Sequence, residues 1–283
     1  MMKYLKTLSL TSALSIAASV APAADYSDDI HKNDYKWLQF NLMYAYKELP
    51  RPKDANSGHD YLEMEFGGRS GFLDLYGYLD IFNLTNSDNS DKKGSSKTFF
   101  KLQPRFSLDA ITGKDLSFGP VQELYFSTLF NWGGGGANYT DSQGKVVESI
   151  DVNNSFWGLG ADVMVPWFGK VGVNLYGLYE LNKKAWNGYQ LSTNWFKPFV
   201  HFENNSFLAY QGYIDYQFGA KNTFKGNEQA TSGGAMFNGF YWHSERWAAG
   251  YGFKLYKDVY LIKDSKKLES TGISHYVAVT YKF

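Results

Sequence analysis

The chain closes on His275-Tyr276-Val277-Ala278-Val279-Thr280-Tyr281-Lys282-Phe283. Side chains of a strand alternate between its faces with period two. His275, Val277, Val279, Tyr281 and Phe283 therefore share one face, and Tyr276, Ala278, Thr280 and Lys282 share the other. One face is largely apolar and ends in a ring. Any half-buried terminal strand alternates in this way, so the rest of the chain must say what the apolar face meets.

The opposite end supplies the context. Met1-Met2-Lys3-Tyr4-Leu5-Lys6 is a basic opening, 8–20 is apolar and uncharged, and Ala21-Pro22-Ala23 has the small residues of a signal-peptidase site. This pattern predicts a secretory signal peptide over 1–23, cut after Ala23. The apolar stretch is short for a membrane anchor, since a spanning helix needs roughly 20 apolar residues. With export predicted, the terminal ring on an alternating strand resembles the sorting signal of bacterial outer-membrane barrels.

Composition points the same way. Beyond the leader no run is long enough for a helical span, and the mean hydropathy is -0.39. A membrane barrel keeps its average low because lipid-facing and lumen-facing residues alternate. Aromatic residues are 18% of the chain, with 22 Tyr, 22 Phe and 8 Trp, enough for ring girdles at two membrane interfaces. Cysteine is absent, which excludes disulfides and thiolate metal sites. The 28 basic and 28 acidic residues cancel, which argues against a nucleic-acid partner.

Segments with period-two alternation recur about twelve times between turn-rich stretches. In 35–47, Leu38, Phe40, Leu42, Tyr44 and Tyr46 face away from Gln39, Asn41 and Met43. In 61–69, Leu62, Met64 and Phe66 oppose Glu63 and Glu65; in 72–82, Leu73, Leu75, Leu79 and Ile81 oppose Asp74, Tyr76, Tyr78 and Asp80. In 99–109, Phe100, Leu102, Phe106 and Leu108 oppose Lys101, Gln103, Arg105, Ser107 and Asp109. Segments 121–131, 154–165 and 171–181 continue the pattern, with Glu123, Tyr125, Asp162, Asn174, Tyr176 and Glu180 on the polar face. The rhythm is less regular over 188–197, 207–218, 235–243 and 247–256, where Gln211, Asp215 and Lys254 fall inward. Short connections near 68–70, 111–115, 166–169 and 244–246 alternate with long ones at 50–58, 83–97, 132–153, 220–233 and 258–271. The reading is an all-β protein: one domain over 24–283, a transmembrane antiparallel β-barrel with short periplasmic turns and long extracellular loops. A soluble barrel would have to bury the charged face unpaired, which is costly.

The inward charges are the functional signal. Glu63, Glu65, Asp74, Asp80, Asp109 and Glu123 come from neighbouring segments, with Lys101 and Arg105 opposite and Tyr76, Tyr78 and Tyr125 between them. Rings stack on flat solutes, while carboxylates accept from hydroxyls. The simpler alternative is that these groups pair within the wall and keep the lumen wet.

The blocks Tyr61-Leu62-Glu63-Met64-Glu65, Asp74-Leu75-Tyr76-Gly77-Tyr78-Leu79-Asp80, Pro104-Arg105-Phe106-Ser107-Leu108-Asp109 and Asp115-Leu116-Ser117-Phe118-Gly119-Pro120 are followed by Glu123 and Tyr125-Phe126. Together they resemble the nucleoside-specific channel-forming outer-membrane proteins of the Tsx family, and within it the OmpK branch of marine vibrios. The specific likeness spans about 61–130; beyond it, length, strand rhythm and the terminal Phe agree. The resemblance implies a narrow monomeric barrel of twelve strands in the outer membrane of a Gram-negative bacterium, in contact with its lipid and lipopolysaccharide. It also implies passive, selective diffusion of nucleosides, with outer loops usable by bacteriophage. It places Glu63, Glu65, Tyr76, Tyr78, Asp80, Arg105, Asp109, Glu123 and Tyr125 at the lumen as nucleoside-binding candidates. No cofactor is implied.

Other classes are weaker. Histidines occur at 31, 59, 201, 243 and 275, none at metal-ligand spacing or in a hydrolase motif. His243-Ser244-Glu245 is compact but falls at a short turn, so the chain reads as a non-enzyme. Gly133-Gly134-Gly135-Gly136 lacks the Lys-Ser or Lys-Thr of a phosphate loop and reads as part of a mobile outer loop. The competing functions are a receptor or structural barrel plugged by its own ion pairs, and a general small-solute porin.

Overall fold

The computed structural model describes residues 24–85, 90–92, 95–135 and 151–283, and the backbone of 139–140 and 146–147. The leader expected over 1–23 lies outside the described residues. The barrel strands are β1 (Tyr35–Tyr46), β2 (His59–Ser70), β3 (Leu73–Phe82), β4 (Thr98–Ser107), β5 (Val121–Gly134), β6 (Asn153–Val165), β7 (Gly169–Glu180), β8 (Ala185–His201), β9 (Phe207–Phe218), β10 (Gly233–His243), β11 (Trp247–Lys257) and β12 (Gly272–Lys282). Each pairs antiparallel with its sequence neighbours, and β1 pairs with both β2 and β12, so the sheet closes. Closure removes both edges and gives every strand two ladders, the condition for crossing a bilayer without a helix.

The period-two reading holds along the wall. On β12, Val277 and Val279 are 53% and 51% exposed, whereas Tyr276 and Ala278 are 1% and 6%. Exposed rings gather at the two rims. Trp167, Phe199, Phe202, Trp247 and Phe283 lie at the short-turn end, and Tyr44, Tyr46, Trp186, Tyr189 and Tyr216 at the long-loop end. The terminal residue helps close the seam. The Phe283 backbone N–H donates to the Leu38 carbonyl at 3.1 Å, and its ring meets Phe40 and Tyr281 edge-on at 5.6 and 5.1 Å.

Several local readings change. The segment read as 99–109 stops at Ser107, which caps the short helix α1 (Leu108–Thr112) by accepting from the Ala110 N–H. Asp109 is thus on a helical turn and not on the strand face. It is 3% exposed, and its two oxygens accept the backbone N–H groups of Leu116 and Leu124 at 3.0 and 3.2 Å. A buried carboxylate held by two main-chain donors anchors the α1 connection to β5. Gly68 and Ser70 belong to β2, and the turn that follows contains left-handed Gly71. Gly133 and Gly134 extend β5 against Phe99 and Thr98, and Gly136 lies outside the described residues. The β7–β8 connection is tight even though it sits at the long-loop end, and β8 is longer than its regular core suggested.

Long connections are knitted back onto the barrel. Arg51–Pro52 pairs with Leu268–Glu269, linking the β1–β2 and β11–β12 loops, and Arg51 meets Glu269 at 2.6 Å. The Ala230 N–H donates to the Leu261 carbonyl, joining the β9–β10 and β11–β12 loops.

Candidate functional site

Three polar layers occupy the lumen. An ion pair spans the middle layer. Lys101 on β4 reaches Asp215 on β9, Nζ to Oδ2 2.8 Å. In the closed order these strands are five steps apart one way and seven the other, so the pair bridges nearly opposite walls. Asp215 is held in place by the Ser192 hydroxyl at 2.6 Å and the Gln190 amide at 3.3 Å. The Lys101 ammonium also lies 5.1 Å from the Tyr213 ring centre and 5.9 Å from that of Tyr78.

Beside the bridge, β1 to β3 form an acidic wall. Glu63 and Asp80 are register partners, as are Glu65 and Tyr78. Asn41 donates to Glu63 at 2.5 Å and to Glu65 at 3.2 Å; Gln39 and Tyr76 donate to Glu65 at 2.5 and 2.8 Å. A second wall is aromatic and cationic. Lys254 on β11 sits 4.7 Å from the Tyr276 ring centre and 5.9 Å from that of Tyr213. Tyr213 stacks on Phe237 at 6.0 Å, and Phe237 meets Tyr276 edge-on. One wall accepts hydrogen bonds, and the other offers π faces and ammonium donors.

At the short-turn end, the network is tighter. Arg69 binds Glu123 at 2.9 Å, Asp74 at 3.2 Å and the Tyr125 hydroxyl at 2.5 Å. Arg105 binds Asp74 at 3.1 Å and Asp162 at 2.8 Å, with its guanidinium carbon 4.0 Å from the Tyr125 ring centre. The fixed fork of arginine suits such shared carboxylates.

At the long-loop end, His59 is fully covered and lies between two acids, Asp91 at 2.6 Å and Glu48 at 3.4 Å. Glu48 also meets Lys92 at 2.6 Å and accepts from the Tyr276 hydroxyl at 3.0 Å. Burial opposes its charge, but Lys92, the His59 hydrogen bond and Lys254 hold the Glu48 carboxyl well below its ordinary range. This layer ties the β1–β2 and β3–β4 loops to the wall.

The sequence candidates therefore fall in three places. Glu63, Glu65, Tyr76, Tyr78 and Asp80 share the middle layer; Arg105, Glu123 and Tyr125 share the short-turn network; Asp109 stands outside the lumen. The inward positions Lys101, Asp215 and Lys254 join the middle layer. Arg69 was missed, although it continues the alternation of Glu63 and Glu65. Tyr213, Phe237 and Tyr276 follow from alternation on their own strands. Glu48, Asp91 and Lys92 come from loops, where no period marks them. Among the described residues, no group of acids and histidines has the arrangement of a metal site.

A closed twelve-strand barrel with a lipid-facing apolar exterior and a polar, ion-paired lumen defines an outer-membrane channel protein. The family model described as "Nucleoside-specific channel-forming protein, Tsx" matches residues 32–283, and the chain belongs to that family. It is 63% identical over 286 residues to Outer membrane protein OmpK of Vibrio parahaemolyticus, covering 100% of both chains. It is 30% identical over 226 residues to the nucleoside-specific channel-forming protein Tsx of Salmonella typhimurium, covering 75% of this chain and 74% of that one. Among solved structures, a KdgM porin overlaps 87% of this chain and 99% of its own with a TM-score of 0.44 and 10% identity. The protein is an outer-membrane channel of a Gram-negative bacterium, its short turns periplasmic and its long loops outside.

Proposed function

We propose that the channel passes nucleosides by passive diffusion and selects them at the middle layer. The observation carrying this reading is the split wall around the Lys101–Asp215 bridge. A nucleoside is one flat base joined to one hydroxylated sugar. Glu65 and Glu63 accept from sugar hydroxyls, while Tyr213, Tyr78 and Phe237 offer faces to the base. Lys101 and Lys254 donate to base carbonyls and ring nitrogens. Each contact is single and partly solvated, which suits a site that must release what it binds. The name of the Salmonella relative supports the same solute class. Arg105, Glu123 and Tyr125 form the exit wall in this account, and Asp109 has no direct contact with solute.

A second reading draws on the same bridge. A lumen crossed by Lys101–Asp215 and lined by further ion pairs is also what a receptor barrel with little selectivity would have. Its outer loops, pinned by Glu48 and His59, would then serve as the attachment surface for a bacteriophage. Bilayer recordings separate the two. Saturable block of the ion current by adenosine or thymidine, but not by a sugar, supports selective diffusion. A silent barrel supports the receptor, and an open pore without block supports a general porin.

A further inference from the structure

Ahead of β1, residues 24–34 run beneath the periplasmic opening. The segment is tied to the barrel at two points. Near β1, Asp34 accepts from the Gly71 N–H at 2.7 Å and the Ser70 hydroxyl at 3.1 Å, and the Ile30 and His31 side chains pack over Gly71. At its far end, Tyr26 turns inward. Its hydroxyl donates to Glu123 at 2.6 Å and accepts from Arg69 at 2.9 Å. Tyr26 is half-buried while Asp25, Ser27 and Asp28 are exposed, so the contact is one side chain reaching into the opening from a solvated strap. Asp25 folds the strap on itself, binding Lys32 at 2.5 Å and presenting its carbonyl to Asn33.

We propose that this segment is a periplasmic gate, with Tyr26 as the detachable residue that narrows the exit of the channel. Arg69 and Glu123 already bind each other and Tyr125, so the exit wall keeps partners when Tyr26 leaves. Release therefore strands no buried charge. The gate has two states: Tyr26 in the opening, or Tyr26 in water with its ring exposed. Permeation then depends on how often the strap is out. The proposal rests on the channel and not on which solute permeates.

The test is single-channel recording in potassium chloride, without nucleoside, on the full-length protein and its variants. Asp34→Ala loosens the strap outside the lumen, and Tyr26→Ala removes the obstruction. Both are expected to raise the mean open current by about twofold or more, with longer openings. Tyr26→Phe keeps the ring and should fall between them and the parent. Because the chain has no cysteine, Ser27→Cys adds a handle that leaves the inserted ring in place. Biotin at this site and streptavidin from the periplasmic side hold the strap out, which should raise the current from that side alone. Parental current in Asp34→Ala and Tyr26→Ala, in barrels that keep their heat-modifiable mobility, overturns the gate. So does a streptavidin-bound Ser27→Cys channel that conducts like the unbound one.

Discussion

Lys101 and Asp215, 114 positions apart, meet at 2.8 Å across the lumen. A lysine on one wall and an acid on the other thus join strands that do not pair in the sheet. In the proposed function this bridge limits the size of what passes, and the rings beside it select the kind.

Removing the bridge should separate size from selectivity. Lys101→Ala or Asp215→Ala is expected to raise single-channel conductance about twofold and to weaken nucleoside block roughly tenfold, about 1.4 kcal/mol. The exchange Lys101→Asp with Asp215→Lys should recover most of the conductance of the parent. Recordings with titrated adenosine check both quantities.

Glu65 accepts from Gln39, Asn41 and Tyr76, and among the described residues none forms an ion pair with it. Glu65→Gln keeps its shape and loses acceptor strength. It should weaken nucleoside block several-fold while leaving the potassium current within about a third of the parent. Equal loss of both would remove Glu65 from solute binding.

Arg105 and Asp109 should behave as different kinds of residue. Arg105→Ala leaves Asp74 and Asp162 short of a partner, and breaking a buried pair of this kind costs about 3–5 kcal/mol. Asp109→Ala strands the Leu116 and Leu124 N–H groups, a loss of about 1–3 kcal/mol with no effect on nucleoside block. Urea unfolding in vesicles reads the stabilities, and the bilayer titration reads the block.

The strand pattern was legible because lipid and water on opposite faces force alternation on every residue of the wall. Glu63, Glu65, Asp80 and Lys101 could be put inside from that rule alone. Their partners could not, since Lys101 and Asp215 belong to strands that never pair, and alternation does not say which inward residues meet across a lumen. Asp109 was misplaced because Ser107 starts a helical turn within a sequence that still alternates. Tyr26, Glu48 and Asp91 lie off the strands, where only the three-dimensional path of the chain brings them to the lumen.

Glu48 gives the outer loops a pH dependence with a definite sign. Its folded-state carboxyl titrates below its ordinary value, so its contribution is present above the usual glutamate range, near 4.3, and is lost as pH falls through the folded value. The loops should stay protease-resistant from neutral pH down to that range. As pH falls on through the folded value, Glu48 takes up a proton, Lys92 loses its carboxylate partner, His59 keeps only Asp91, and cleavage within 47–58 should speed up. An acid-resistant protease assay across that range checks the sign, and Glu48→Gln should show the fast cleavage already at neutral pH.

The most direct test of nucleoside selection is current through the purified channel in a planar bilayer, titrated with adenosine, thymidine and a sugar control. The account predicts saturable block by both nucleosides, none by the sugar, and weaker block in Lys101→Ala. A full current unaffected by nucleosides, or no current at all, would contradict it.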